Sequence, residues 1–316
     1  MRILIELPTW IGDTVMTTPA LENIVSYFNS PEIIIIGSKE AVEVMQNHPC
    51  VKGKHYIKKN FVNLIKISNF FGYFDIFFSF RSSFRSTIFK FLVNSGSKYQ
   101  YKKVRYKNRH QVEKYNDFIQ DSLKTSFKAK NLILYPANDL HINYSNPTLG
   151  IHPGASYGDS KRWYPEEFAK TLFKLSNNYD IIIFGSLKEE VIANDIENLL
   201  VSMGVNNIQN LAGQTSIERL IEQISKLDLF ITGDSGPMHI AASFQIPTIS
   251  IFGSTNHLET SQWRNDNSVL VRKNLDCQPC MKRSCPLNHH NCMKSIKAND
   301  VLKEVQNLRQ ANIANI

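Results

Sequence analysis

The chain has no long apolar run. No window approaches 18 uncharged apolar residues, so no membrane-spanning helix is expected. It opens directly on a strand-like segment, and no signal peptide is expected ahead of it. Cysteine is scarce: four of the five lie close together near the end, which fits a reducing compartment better than a disulfide framework. A cytoplasmic protein is the expectation. Internal repeats and low-complexity tracts are missing, and 42% hydrophobic with 20% charged residues excludes a disordered or fibrous chain. A length of 316 residues suits two domains, each with its own core. Acidic side chains are absent from Arg81 to Arg109, where nine basic residues stand alone. Residues 1–148 carry 20 Lys and Arg against 11 Asp and Glu, while the remainder carries 16 against 17. The net charge of +8 therefore belongs to the first half, whose field would attract nucleic acid, an anionic membrane face or an anionic acceptor. Tyr99, Tyr101 and Tyr106 interleave with these cations, a mixture that suits RNA and a membrane interface equally. A solvated basic loop is the plain alternative.

What is present is an alternation of short apolar runs with helical periods. Arg2–Leu7, Glu32–Ile36 and Phe74–Phe80 read as buried strands, and Val15, Leu21, Ile24, Val25 and Phe28 recur at helical spacing. Helices are expected near Ala41–Met45, over Phe61–Phe71 and over Val112–Leu123. Residues 126–148 lack a long period and contain Pro136 and Pro147, which places a domain boundary within 135–148. A second series follows. Strands are expected at Thr148–His152, Asp180–Phe184, Ile208–Leu211, Asp228–Gly233 and Pro247–Phe252, with helices at Pro165–Ser176, Lys188–Met203, Ile217–Ile224 and Met238–Phe244. Such alternation implies two α/β domains, 1–147 and 148–316, each a Rossmann-like parallel sheet wound on both faces. A last amphipathic helix, 299–310, could pack back on the N-terminal domain.

Candidate chemistry gathers at the glycine turns after these strands. Asp13 follows Gly12 in the turn closing the first strand, where a carboxylate could accept a proton from an acceptor hydroxyl. Gly12 would let the backbone approach a ligand closely; capping the following helix is Asp13's plainer role. His152-Pro153-Gly154-Ala155-Ser156, with Lys161 and Arg162 beyond it, could clamp a diphosphate. Asp234-Ser235-Gly236-Pro237 opens a helix whose free N–H groups favour an anion, with Asp234 or Ser235 supplying the N-cap oxygen and His239 one turn on. Cys277, Cys280, Cys285 and Cys292, with His289 and His290 nearby, form C-x2-C-x4-C-x6-C. Four thiolates could close a tetrahedral structural zinc site, but the spacing is that of no standard finger or ribbon, and reduced thiols packing a loop are preferred.

Three of these stretches also carry a resemblance. GDSGPMHIAAS with PTISIFGST, the opening ILIELPTWIGDTVMTTPAL and the late CQPCMKRSCPLNHHNCM are similar to the signatures of glycosyltransferase family 9, the bacterial heptosyltransferases. The cysteine-rich tail resembles that of its subfamily II. The resemblance implies a GT-B architecture with two domains facing across a cleft. It implies inverting transfer of L-glycero-D-manno-heptose from ADP-heptose to the first heptose of a lipopolysaccharide or lipooligosaccharide inner core, without a divalent metal. It assigns Asp13 as the base and Lys161 as the phosphate-contacting cation. Gly12, Ala155, Ser156, Glu189, Thr215, Asp234, Ser235, Gly236 and His239 would hold the ADP-sugar. Arg81, Arg85, Lys102 and Arg105 would face the anionic lipid A–core acceptor, and the enzyme would sit at the cytoplasmic face of the inner membrane and bind no nucleic acid. The alternatives are a relative of subfamily I or III with another acceptor, and, in a different class, a basic nucleic-acid-binding protein with a zinc-bound cysteine tail.

Overall fold

The computed structural model describes residues 1–57, 72–137 and 146–314, the last four of these by backbone only. The chain divides into two compact units, 1–137 and 138–316. The helix expected over Phe61–Phe71 lies outside the described residues.

In the first unit the elements run β1 (Arg2–Glu6), α1 (Ile11–Met16), α2 (Thr18–Tyr27), β2 (Glu32–Gly37), α3 (Lys39–Met45), β3 (Val51–Tyr56), β4 (Phe74–Ser79), α4 (Phe84–Leu92), β5 (Ser95–Gln100) and α5 (Gln111–Leu123). The five strands form one parallel sheet in the order β3-β2-β1-β4-β5. β1 is central and covered on both faces, so Ile3, Leu4 and Ile5 are fully buried. Each such side chain contributes about 1.5–3 kcal/mol of transfer free energy. The order reverses between β1 and β4, which puts the loops after those strands on either side of the crevice at the sheet's carboxyl edge.

Two local expectations change. Residues 11–13 are not loop: α1 starts at Ile11 and holds Asp13 in its first turn. The chain breaks helical continuity at Thr17, and Pro19 enters the first turn of α2, where its missing N–H costs nothing. The basic stretch is a solvated loop only in part: residues 102–109 are mostly exposed, with one short turn at Lys103–Arg105, and most of the rest is regular structure. Ser83 caps α4 by accepting from Ser86 N, and Ser95–Gln100 pairs with β4 as an edge strand.

The second unit contains β6 (Thr148–His152), α6 (Pro165–Leu175), β7 (Asp180–Ile183), α7 (Glu190–Ser202), β8 (Ile208–Asn210), α8 (Ile217–Ile224), β9 (Leu229–Gly233), α9 (Gly236–Ser243), β10 (Thr248–Phe252), α10 (His257–Thr260), β11 (Ser268–Arg272), α11 (Asn291–Lys294) and α12 (Ala298–Ala314). Its six parallel strands are ordered β11-β10-β9-β6-β7-β8, with the reversal between β6 and β9. One core of Leu149, Ile151, Trp163, Phe168, Ile231, Ile251 and Val305 joins sheet and helices. The last helix packs on α6 and β11 of this unit. Glu167 of α6 anchors it by accepting from Ala298 N at 2.8 Å, and the Trp163 indole N–H donates to the Ile296 carbonyl at 2.9 Å. No described helix is long and apolar enough to cross a membrane.

Candidate functional site

Each sheet brings residues of interest to its carboxyl edge, and the two sites are described separately. In the first unit, the segments after β1, β4 and β5 and the start of α5 line an open cavity of about 280 Å³. Asp13, Trp10, Arg81, Ser83, Lys103 and Tyr115 are among its lining residues. The Tyr115 hydroxyl donates to Asp13 Oδ1 at 3.3 Å. Burial and the neighbouring Asp13 carboxylate push the phenol well above its ordinary pKa, so Tyr115 remains a donor.

Glu6 is buried near Arg81 of that lining. It ends β1 almost fully buried and accepts from Ser79 Oγ at 2.6 Å and Ser86 Oγ at 3.0 Å, with Arg81 Nη1 3.9 Å away. Burial raises its pKa despite these partners. The four expected acceptor cations separate. Arg81 lines the cavity, and Arg85 lies near Arg81 and Glu6. Arg105 instead pairs with Asp121 at 3.0 Å, and Lys102 does not line the cavity, whereas its neighbour Lys103 does. Arg109 is also neutralised, at 2.8 Å from Glu113 and 2.6 Å from Asp117, so part of the basic field is spent on α5.

In the second unit the parallel strands deliver four loops to one edge: 153–161 after β6, Glu189 after β7, Thr215 after β8 and 234–239 after β9. Lys161 is not a lone cation. Its ammonium lies 2.5 Å from Asp234 Oδ2, and the same oxygen accepts from Thr255 Oγ1 at 2.6 Å. The expected cap of α9 is therefore corrected. Asp234 is committed to Lys161, Ser235 Oγ meets Thr232 Oγ1 at 3.0 Å, and the Ser235 N-cap makes no side-chain cap bond. The helix starts two residues earlier than expected, at Gly236, and its first N–H groups keep their positive dipole end for an anion.

Glu189 is buried beside Gly154. Its Oε2 accepts from Ser186 N and Ser186 Oγ, both at 2.8 Å, and lies 3.5 Å from His152 Nε2. Burial would raise its pKa, but the His152 and Ser186 donors outweigh it and bring the carboxyl down to about 2. Its Oε1 has no hydrogen-bond partner among the described residues. Ala155 and His239 are buried, Thr215 is half-buried and Ser156 is exposed.

The four clustered cysteines line one small cavity of about 20 Å³ with His289, His290, Ser160 and Ser254. All are free thiols. Backbone donors led by His290 N, 3.3 Å from Cys285 Sγ, draw the Cys285 thiol downward, whereas burial and the three neighbouring thiols push Cys292 up to about 11. Among the described residues no three His, Cys, Asp or Glu side chains, these included, are placed to hold a metal ion.

Tyr115 and Thr255, which meet Asp13 and Asp234, escaped the sequence. Each meets its partner across a fold contact rather than within a motif, and only a knowledge of strand order would have found them.

The family model for glycosyltransferase family 9 (heptosyltransferase) matches residues 73–291. Lipooligosaccharide heptosyltransferase 2 of Campylobacter jejuni is 38% identical over 317 residues, 98% of each chain. The solved structure of E. coli ADP-heptose LPS heptosyltransferase II superposes with a TM-score of 0.83 at 19% identity, covering 99% of both chains. E. coli heptosyltransferase WaaC, solved with ADP, gives 0.74 at 15% identity, covering 98% of this chain and 100% of that one. With its two doubly wound parallel sheets and with residues of interest at the carboxyl edge of each, the chain belongs to glycosyltransferase family 9, the heptosyltransferases.

Proposed function

We propose that the chain transfers L-glycero-D-manno-heptose from ADP-heptose, with inversion, to the first heptose of a lipopolysaccharide or lipooligosaccharide inner core. The observation that carries this reading is its likeness, across nearly the whole of both chains, to a lipooligosaccharide heptosyltransferase 2. The acceptor oxygen attacks the anomeric carbon as the bond from that carbon to the diphosphate breaks, and Asp13 takes the acceptor's proton. The Tyr115–Asp13 contact supports that role, because a phenol donor favours the carboxylate form a base needs. ADP leaves as an anion, met by the start of α9 and by Lys161. Glu189 and Thr215 hold the nucleoside, with Gly12, Ala155, Ser156 and His239 shaping the donor's surroundings. Arg81 meets the anionic acceptor, and Lys103 joins it from the cavity wall.

The protein acts at the cytoplasmic face of the inner membrane. Phe84 and Phe91, seven residues apart on α4, are 78% and 76% exposed, and Lys90 lies between them in sequence. Exposed aromatic rings beside cations suit the interface of an anionic membrane.

The test is ADP release from ADP-heptose with and without a core acceptor bearing one heptose. Acceptor-dependent release is expected. Asp13→Ala should lower it by roughly 10²-fold or more, the usual scale of a lost general base, with ADP binding intact. Release with a heptose-free acceptor would move the protein to subfamily I. Absence of release with every acceptor would remove the activity.

A further inference from the structure

We propose that Arg283, carried by the cysteine-rich segment, is a second cation for the donor's diphosphate. The inference deepens the donor reading above and rests on it. The Lys161 ammonium stands 4.8 Å from the centroid of the Tyr157 ring, and the Arg283 guanidinium stands 5.4 Å from the same centroid. The two cations are thus brought to one ring from opposite ends of the unit's sequence.

Their carboxylate pairing differs. Lys161 is already matched by Asp234, so that pair brings little net charge to an incoming diphosphate. Arg283 is exposed, and no carboxylate pairs with it among the described residues. A nucleoside diphosphate carries two to three negative charges, more than the start of a single helix offsets. A planar guanidinium can meet two phosphate oxygens at once.

The position of Arg283 is built, not incidental. The Tyr157 hydroxyl donates to the Met281 carbonyl at 2.7 Å, and Met281 N donates to the Ser254 carbonyl at 2.9 Å. Ser160 N donates to the Arg283 carbonyl at 3.1 Å and Ser160 Oγ to the Lys282 carbonyl at 2.5 Å. Ser160 Oγ also meets Ser254 Oγ at 2.9 Å, so both loops that fix the Lys161–Asp234–Thr255 cluster hold the arm. Gly158 is required for this approach, since a Cβ there would overlap the Arg283 carbonyl. Cys280 and Cys285, which flank the arm in sequence, line the small cavity of the four thiols, as does Ser160. This gives the cysteine-rich segment a purpose as the frame that holds residues 281–283 against the donor loop.

The experiment is calorimetric titration of ADP and of AMP into the full chain, for wild type, Arg283→Gln and Arg283→Lys, with thermal melts as the folding control. Arg283→Gln should weaken ADP about tenfold and AMP less than threefold, while Arg283→Lys, which keeps the charge and loses the bidentate fork, should fall between wild type and Arg283→Gln. Wild-type affinity for ADP in Arg283→Gln would overturn the proposal. Equal losses for ADP and AMP would also overturn it, since Arg283 would then shape the pocket without meeting the second phosphate. A wild-type protein that binds neither nucleotide would instead overturn the donor reading itself.

Discussion

Gly154→Ala tests the donor loop through one collision. Gly154 does not have a left-handed φ, so alanine could adopt its backbone conformation, and the substitution by itself should stabilise by about 0.4–1 kcal/mol through the unfolded chain. The surroundings reverse the sign. A Cβ at 154 would overlap the Glu189 carboxyl group and lie 2.6 Å from its Cγ. Glu189 is only 3% exposed, and its Oε2 is held by the Ser186 amide and hydroxyl. Displacing it breaks two hydrogen bonds to a charge, each contributing about 1.5–3 kcal/mol, with part recovered where water reaches the freed groups. A net destabilisation of about 2–3 kcal/mol is expected. The assay is urea unfolding of wild type, Gly154→Ala, Glu189→Ala and the double variant. In the Glu189→Ala background the alanine at 154 meets no carboxylate and should cost less than about 0.5 kcal/mol, a coupling of about 2 kcal/mol. A neutral Gly154→Ala, or one with the same cost in both backgrounds, would refute the reasoning.

Other consequences are tested separately. Tyr115→Phe removes the phenol that donates to Asp13, so kcat should fall about tenfold with KM for ADP-heptose within twofold. The limb of the pH–rate profile reporting Asp13 should move to higher pH, a shift that a merely structural role would not produce. Glu189, brought from 4.5 to about 2 in the fold, contributes about 3 kcal/mol that is present above pH 4.5 and lost as the pH falls towards 2. Glu6, raised by burial, acts in the opposite direction, so the readout is the flatter urea midpoint of Glu189→Gln relative to wild type between pH 3 and 6. Sedimentation with vesicles containing phosphatidylglycerol should be salt-sensitive and weakened by Phe84→Ser with Phe91→Ser. Binding that ignores anionic lipid would sink the membrane assignment.

The central strands were legible because both faces of a parallel strand are covered. Glu32–Gly37, Leu229–Gly233 and Thr248–Phe252 are buried almost throughout, and their residues form continuous apolar runs. Edge strands lacked that signal. Val51–Tyr56 alternates half-buried with exposed residues, and Ser95–Gln100 reads SGSKYQ with no fully buried member. The helix at Phe84–Leu92 was hidden by its setting in a basic stretch, although Ser83 at its start is an ordinary N-cap.

The placement of the candidate site residues was legible for a related reason. Sharp glycine turns after apolar runs mark the carboxyl edge of each sheet, and Asp13, Lys161, Asp234 and Ser235 all lie there. Pairings among them were not legible, because a motif shows which groups are near a ligand and not which groups satisfy each other. Lys161 and Asp234 were each singled out for the same anion, yet they are 73 residues apart and bound to one another. A lysine already neutralised by a carboxylate cannot supply the full charge that a departing diphosphate needs. On the proposed donor reading, that charge comes instead from the uncapped start of α9 and from the guanidinium of Arg283, which no carboxylate pairs with among the described residues.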